Sequence, residues 1–183
     1  FPTLRSSNLP PLVGVIHAEG ILDDGLILHL TPERLQRVLA PKMLGAWNLH
    51  TLTQTDPLEC FVLFSSAAGL LGSPGQANYA AANAFLDALA HYRRAHAQPA
   101  MSIDWGPWAD VGLAAAQVNR GQRLATRGVP SLTPAQGLAL LGLLLAAPPA
   151  QVGVMPFNVR QWRQFYPKVA SSPLFALLPE EAD

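Results

Sequence analysis

Four short apolar segments recur along the chain, separated by longer stretches of helical character. A continuous apolar run is typical of a strand that is buried on both faces of a sheet. Such runs predict strands over residues 12–17, 61–64, 100–104 and 152–155.

Helix signals occur between these strands. Thr31-Pro32-Glu33 combines a capping threonine, a proline at the first helical position and an acid in the first turn. This start predicts a helix to about Leu52, with a kink at Pro41. Further helices are predicted over 80–95 and after the Thr133-Pro134 cap. Alternating strands and helices predict an α/β fold, in which crossover helices connect the strands of a parallel sheet.

Composition and charge restrict the function classes. Twelve Lys and Arg balance twelve Asp and Glu over 183 residues, so nothing favours nucleic acid or an anionic membrane as a partner. The length fits one domain or part of one. The apolar segment 138–147 is too short to span a bilayer and predicts a core helix.

Cysteine usage and targeting signals bear on the compartment. The single cysteine, Cys60, lies in an apolar strand, which favours a small buried hydrophobe over a reactive thiol. We find no disulfide framework and no signal peptide, and therefore expect a cytoplasmic protein.

The run FSSAAGLLGSPGQANYAAANAFLDALA (64–90) carries the candidate chemistry. Ser66 closes a predicted strand, a loop with three glycines and a proline follows, and Tyr79 opens the next helix. Tyr79 and Asn83 are four residues apart, so they project from one helix face. A phenol beside a hydroxyl, with a lysine to lower its pKa, suits proton transfer to a developing alkoxide.

This run resembles the short-chain dehydrogenase/reductase superfamily, specifically the ketoreductase domains of modular type I polyketide synthases. Similar stretches occur at 14–50, 101–113 and 127–138, so the resemblance extends to about residue 168. It implies that residues 1–168 are the C-terminal part of a Rossmann-type catalytic domain, with a lid at about 110–130. Residues 169–183 resemble a linker that leads out of the domain.

The resemblance implies a role for each candidate catalytic residue. Tyr79 would donate a proton to the substrate carbonyl, and Ser66 would hydrogen-bond the same oxygen. Lys42 would bind the nicotinamide ribose and lower the tyrosine pKa, and Asn83 would complete the proton relay. The wider superfamily has lysine four residues after the tyrosine, where this chain has Asn83 and supplies Lys42 from the preceding helix. Ser65 would be structural.

NADPH is the cofactor that the resemblance implies. His17, Ala18 and Gly20 match a segment that lines the cofactor pocket, and Lys42 and Tyr79 would also contact the cofactor. The usual form there is His-Ala-Ala-Gly, so Glu19 departs from it; its carboxylate would either repel an anionic cofactor or point to solvent. The turn Gly106-Pro107-Trp108 would hold the carboxamide through backbone groups. Alternatively, Trp105 and Trp108 only pack the sheet edge.

The glycine-rich turn that binds pyrophosphate in Rossmann folds is missing from this chain. Gly69, Gly72 and Gly75 are regularly spaced, but they follow the serine strand and precede the tyrosine, so we interpret them as an active-site loop. We expect the family's first three strands, with that turn, to lie before Phe1.

Leu22-Asp23-Asp24 resembles the marker of B-type ketoreductases, which form the D-configured alcohol. With Gln76, these residues are the candidates for substrate contact and stereocontrol. The tryptophan of A-type domains is absent from 73–78, and Ala81 stands where epimerising B-types have proline. The alternative is that the two acids form an ordinary solvated turn.

The sequence therefore predicts NADPH-dependent reduction of a β-ketoacyl thioester without selection of an epimerised α-substituent. Expected partners are an acyl carrier protein with a phosphopantetheine-linked chain, the upstream part of the ketoreductase and neighbouring synthase domains. No metal, nucleic acid or membrane is implied. Two alternatives stay open, namely a non-catalytic structural module and the ketoreductase of a fatty acid synthase.

Overall fold

The computed structural model describes residues 10–115, 119–176 and 178. Its centre is a four-stranded sheet in the order β1-β2-β3-β4, and each neighbouring pair is parallel. The strands are β1 (Gly14–His17), β2 (Cys60–Ser66), β3 (Met101–Trp105) and β4 (Gln151–Val154). The predicted α/β fold with a parallel sheet is confirmed, and each strand lies within two residues of its predicted bounds.

Helices connect the strands and cover both faces of the sheet. The α-helices are α1 (Pro32–Leu39), α2 (Gly45–Leu52), α3 (Ala67–Leu71), α4 (Ala77–Ala95), α5 (Gly112–Ala115), α6 (Arg120–Ala125), α7 (Pro134–Ala146), α8 (Val159–Phe165) and α9 (Pro167–Ala170). Short 3₁₀ turns occur at Ile27–His29 and Pro173–Phe175.

The kink predicted at Pro41 is a turn of π-helix over Ala40–Leu44, which joins α1 to α2. Proline has no backbone N–H and crowds the preceding turn, so the regular hydrogen-bond ladder cannot pass through it. The wider turn contains Lys42, which is only 3% exposed.

The loop predicted between Ser66 and Tyr79 is wrong in its first half, because α3 begins directly after Ser66. The Ser66 Oγ accepts a hydrogen bond from the Ala68 N–H at 3.2 Å, which caps the helix. Gly72 and Gly75 have φ values of 74° and 79°, so they form the turn that returns the chain to α4. Helix α4 begins three residues before the predicted start.

Two apolar clusters pack against opposite faces of the sheet. On one face, Phe61 and Leu63 of β2 pack with Leu86 and Leu89 of α4. On the other face, Val62 and Ile103 meet the leucines of α7. Side chains alternate along β2 in this way because successive residues of a strand point to opposite faces.

Helix α7 differs from the core helix predicted over 138–147. Its predicted start is confirmed by a capping box between Thr133 and Gln136. Only one side of the helix packs on the sheet, since Leu138 and Leu143 are 62% and 69% exposed. Cys60, predicted to be buried, is partly exposed at the start of β2. In the described part of the chain, no helix is long and apolar enough to cross a bilayer.

Parts of three predicted segments lie outside the described residues. These are most of 1–11, residues 116–118 of the lid, and 177 with 179–183 of the linker. Helices α5 and α6 flank residues 116–118. Phe175 packs with Trp162 and Val129 in a third apolar cluster, and the domain boundary at residue 168 stays a prediction.

Two glycines of α7 provide a matched test of this packing. A Cβ on Gly137 would overlap the Trp108 ring, whereas a Cβ on Gly142 would meet nothing within 4 Å. We expect Gly142→Ala to raise the free energy of unfolding by about 1 kcal/mol through helix propensity. We expect Gly137→Ala to lower it by about 1–3 kcal/mol because of overpacking. Urea unfolding measures both, and equal effects of the two changes would contradict the packing of Trp108 on α7.

Candidate active site

A cavity of about 910 Å³ opens at the carboxyl ends of β1, β2 and β3. Ligands of open α/β sheets bind in such a position. Most of the predicted site residues line this cavity, namely Ala18, Gly20, Leu22, Lys42, Ser66, Gln76, Tyr79, Gly106, Pro107 and Trp108. His17, Asp23, Asp24 and Asn83 are not part of its lining.

Lys42 is the buried cation of the cavity. Its Nζ donates a hydrogen bond to the Phe64 carbonyl oxygen at 2.8 Å and lies 5.6 Å from the centre of the Tyr79 ring. Burial lowers the pKa of Lys42 to about 8, and the negative charges of Asp87 and Glu19 act in the opposite direction.

Tyr79 is held in its protonated form. Burial raises the pKa of its phenol, and hydrogen bonds with the side chains of Ser66 and Asn83 offset part of that rise. The sequence predicts instead a pKa lowered by Lys42. The structure differs, because the cost of burying a phenolate outweighs the nearby stabilising groups.

The two serines at the end of β2 have different surroundings. Ser66 lines the cavity, whereas the Ser65 Oγ is buried and donates to the Asn83 carbonyl oxygen at 3.3 Å. Ser65 therefore ties β2 to α4, which agrees with the structural role predicted for it.

Asn83 lies behind Tyr79 rather than in the cavity wall. It is fully buried, and its Nδ2 donates to the Tyr79 carbonyl oxygen at 2.7 Å. Within the described structure, its Oδ1 is buried without a hydrogen-bond partner. A buried unpaired oxygen is costly, so this atom is a place where a bound ligand or water would be favoured.

His17 is not among the residues that line the cavity, and its predicted contact with the cofactor stays a prediction. Its ring faces the start of α2, where a Cβ on Gly45 would lie 3.1 Å from the His17 Cε1. Burial, and then the charge of Lys42, lower the pKa of His17. His17 shares the buried face of β1 with Val15, because alternate residues of a strand point to the same side.

Asp23 points toward α1. Its carboxylate forms an ion pair with Arg34 at 2.6 Å and a longer one with Arg37 at 3.3 Å. The hydrogen bond from Arg34 is the main reason that the pKa of Asp23 is lowered. These ion pairs hold the loop that contains Asp23 against α1. The sequence analysis did not predict this contact.

Asp24 lies next to the mouth of the cavity. Its Oδ1 accepts from the Gln76 Nε2 at 3.0 Å, and its Oδ2 is paired with Arg120 of α6. The loop is also held by the Gly25 N–H, which donates to the Gly75 carbonyl oxygen at 2.8 Å. Asp24 is therefore not part of a freely solvated turn.

The tryptophans at the end of β3 pack against each other. The ring centres of Trp105 and Trp108 are 5.0 Å apart, and Phe64 lies 5.5 Å from Trp105. A Cβ on Gly106 would come within 2.6 Å of the Met155 Cβ, so glycine permits the close approach of β4. These contacts support the packing alternative for the tryptophans, and a carboxamide contact stays a prediction.

Sequence reasoning missed a buried carboxylate pair behind the site. Asp87 accepts a hydrogen bond from the Ser102 Oγ at 2.6 Å, and Asp104 accepts one from the Gln151 Nε2 at 2.8 Å. Burial is the main cause that raises the pKa of Asp104, and Asp87 adds to the rise. Polar residues within the buried strand β3 were the available signal.

The chain is similar to known proteins in sequence. A family model described as "KR domain" matches residues 2–110. One chain of the phenolphthiocerol/phthiocerol polyketide synthase of Mycobacterium tuberculosis is 43% identical over 171 residues, which is 93% of this chain and 8% of that protein. Polyketide synthase GfsB of Streptomyces halstedii is 56% identical over 137 residues, 74% of this chain and 2% of that protein.

Solved structures give the same result. A structure titled as A-type ketoreductases from a modular polyketide synthase has a TM-score of 0.88 and 36% identity, and the match covers 94% of this chain and 37% of that one. The first ketoreductase of the tylosin synthase has a TM-score of 0.82 and 38% identity, over 91% of this chain and 36% of that one. The chain thus spans less than a tenth of these curated relatives and little more than a third of these solved chains.

The raised pKa of Asp104 predicts how the free energy of unfolding changes with pH. The folded protein retains this proton above the ordinary carboxyl pKa of 3.8, so this group lowers stability as pH rises from about 4 toward neutrality. We expect Asp104→Asn, which cannot ionise, to become more stable than the unmodified protein over that range, by about 1–3 kcal/mol. Urea unfolding at several pH values measures the difference.

Glu59→Gln is the matched control, since Glu59 is an exposed acid directly before β2. A stability difference for Asp104→Asn that stays constant between pH 4 and 7 would contradict a buried, protonated Asp104.

Proposed function

Since the chain belongs to the ketoreductase family of polyketide synthases, in the short-chain dehydrogenase/reductase superfamily, we propose that it reduces a β-ketoacyl thioester to a β-hydroxyacyl thioester. The substrate is carried by an acyl carrier protein, and NADPH is the reductant. The observation that carries this proposal is the meeting of Lys42, Tyr79 and Ser66 in one cavity.

The cavity suits a nicotinamide cofactor. Its volume of about 910 Å³ lies within the usual range of cofactor pockets. The Lys42 ammonium has three donors, of which the bond to the Phe64 carbonyl oxygen uses one; the other two can bind ribose hydroxyls. Gly20 leaves space beside Lys42, because a Cβ there would approach the Lys42 Cε to 3.2 Å. When bound, this cofactor supplies the hydride.

The side chains of this chain supply the proton and the stabilisation of charge. Tyr79 is protonated at neutral pH, so it can donate its proton to the carbonyl oxygen as negative charge develops there. The Ser66 hydroxyl donates a hydrogen bond to the same oxygen. The Lys42 ammonium then stabilises the phenolate that Tyr79 becomes, because a neighbouring cation favours the charged form.

Asn83 acts from behind the tyrosine. Its bond to the Tyr79 carbonyl oxygen fixes the first turn of α4. Its unpaired Oδ1 can accept a hydrogen bond from a water, which would hold that water where its other hydrogen can be passed toward the site. We propose that Asn83 completes the relay in this way.

A non-catalytic structural module is the competing function. Such a module would have no need to bury the Lys42 ammonium against a single carbonyl oxygen, since an unpaired buried charge destabilises the fold. A fatty acid synthase ketoreductase would share the chemistry. Leu22-Asp23-Asp24 and the run 64–90 favour the polyketide context.

We propose B-type stereochemistry, which gives the D-configured alcohol without selection of an epimerised α-substituent. The support is local, since Asp24 is held at the cavity mouth by Gln76 and Arg120. At this place the Asp24 carboxylate can direct the thioester arm in two ways. It can accept a hydrogen bond from the arm, and it can block the space that the arm would otherwise enter. Leu22 lines the cavity nearby, and Asp23 braces the loop against Arg34.

The proposed setting is a cytoplasmic, multidomain synthase in which an upstream segment completes the domain and binds the cofactor pyrophosphate. Within the described residues, β1 pairs only with β2, and Ile16 on β1 is 54% exposed. An exposed strand edge is usually covered or paired, and we propose that the upstream segment covers this one.

Tyr79→Phe tests the reaction. We expect NADPH consumption with a β-ketoacyl thioester to fall by about 10²–10⁴-fold, because the proton donor is lost, while NADPH binding and the unfolding midpoint change little. Tyr92→Phe, an exposed tyrosine on the same helix, is the control. Equal turnover by Tyr79→Phe and the unmodified protein would exclude the assigned role.

Asp24→Ala tests stereocontrol. We expect the ratio of the two alcohol epimers to shift by about tenfold or more, or 1.4 kcal/mol, with a smaller change in the reduction rate. Asp23→Ala, which removes the brace to Arg34, should lower the unfolding midpoint more than it changes that ratio. Chiral chromatography of the products measures the epimer ratio of both variants, and thermal unfolding measures their midpoints. An unchanged ratio in Asp24→Ala would exclude the proposed role of Asp24 in stereocontrol.

A further inference from the structure

A second, smaller cavity of about 230 Å³ adjoins the first. The two share six lining residues, namely Ser73, Pro74, Gln76, Arg120, Leu124 and Arg127. The smaller cavity is therefore an outer extension of the larger one. A ligand bound in the larger cavity can therefore extend into the smaller one.

Three arginines line this outer cavity, and we call Arg120, Arg123 and Arg127 the arginine rim. Arg120 and Arg123 belong to α6, and Arg127 lies in the turn that follows it. Positions three and four residues apart share one helix face, so this spacing places the three guanidinium groups on the side of α6 that faces the 73–76 loop.

The arginine rim carries more positive charge than its surroundings compensate. Arg120 is paired with Asp24, and the Arg127 Nη1 donates to the neutral Tyr166 hydroxyl at 2.9 Å. Arg123 is exposed. In the described structure, neither Arg123 nor Arg127 has a carboxylate within ion-pair distance, and Asp24 is the one acid in the lining of the outer cavity. About two positive charges are thus left to meet an anionic ligand.

We propose that Arg123 and Arg127 bind the phosphate of the phosphopantetheine arm that carries the β-ketoacyl chain. A guanidinium fork matches phosphate geometry and is weakly hydrated, so it binds phosphate better than a point charge of equal sign. The pairing of Arg120 with Asp24 leaves the other two arginines for this anion. The inference rests on the proposed function, because it assumes a thioester carried on that arm.

The same anion chemistry has a second source, since NADPH also contains phosphates. The location of the arginine rim favours the arm: it adjoins Asp24 and Gln76, whereas Ala18 and Gly20, the expected cofactor contacts, line only the larger cavity. The two sources are separated by measuring the KM of each substrate.

The test compares two substrates in the intact protein, a β-ketoacyl thioester of phosphopantetheine and the same thioester of pantetheine. We expect the phosphorylated substrate to have a KM about threefold to tenfold lower at low salt, and the advantage to shrink as salt screens the arginines. Arg123→Gln should remove much of this advantage, and Arg123→Gln with Arg127→Gln nearly all of it. The KM of the pantetheine thioester is measured for every variant as the reference, so that the ratio of the two KM values isolates the contact with the phosphate.

Arg160→Gln, an exposed arginine outside both cavities, is the control and should keep the full advantage. Because Arg127 also contacts Tyr166, the exposed Arg123→Gln variant tests the proposal where the double variant fails to fold. Equal KM values for the two thioesters in the unmodified protein, or a rise in the KM of NADPH alone in Arg123→Gln, would overturn the proposal.

Failure of the proposed function has a different signature, since neither thioester would then be reduced. In that case calorimetric binding of phosphopantetheine and of pantetheine to the same variants decides the inference. A preference for the phosphorylated compound that is lost in Arg123→Gln would support it, and no preference would overturn it.

Discussion

The Lys42 ammonium lies inside the protein, bonded to the Phe64 carbonyl oxygen near the end of β2. Removing an ammonium from water is unfavourable, and burial lowers its pKa to about 8. Asp87 and Glu19 oppose that shift, so the cation survives near neutral pH. The π turn over Ala40–Leu44 holds this side chain in the protein interior.

The other parts of the candidate site are arranged around this cation. Tyr79, Asn83 and Asp87 are successive i, i+4 positions of α4, so one face of that helix presents a phenol, an amide and a carboxylate in order. Gly69 lets α3 approach that face, since a Cβ there would lie 3.2 Å from the Asn83 Cβ and 3.4 Å from the Asp87 Oδ2. Packing thus sets the spacing of the reactive groups.

Features that depend on residues close together in the sequence, such as strands and helix starts, could be predicted. Buried strands read as continuous apolar runs, Thr133 and Gln136 form a capping box, and the Ser66-to-Tyr79 interval indicated the paired hydroxyls. The parts that depend on distant contacts could not be predicted. Asp24 and Arg120 are 96 residues apart, and the pKa of Tyr79 depends on burial that no local pattern encodes. The short helix α3 was missed because Gly69 within it and Gly72 directly after it suggested a loop.

Transfer of the hydrogen itself is the most direct test of the proposed reaction. NADPH that carries deuterium at both C4 positions of the nicotinamide is mixed with a β-ketoacyl thioester and the intact protein, and the product is analysed by mass spectrometry. We expect one deuterium on the β-carbon of a β-hydroxyacyl product. A folded protein that binds NADPH but forms no deuterated product would contradict the proposed reaction and favour the structural-module alternative.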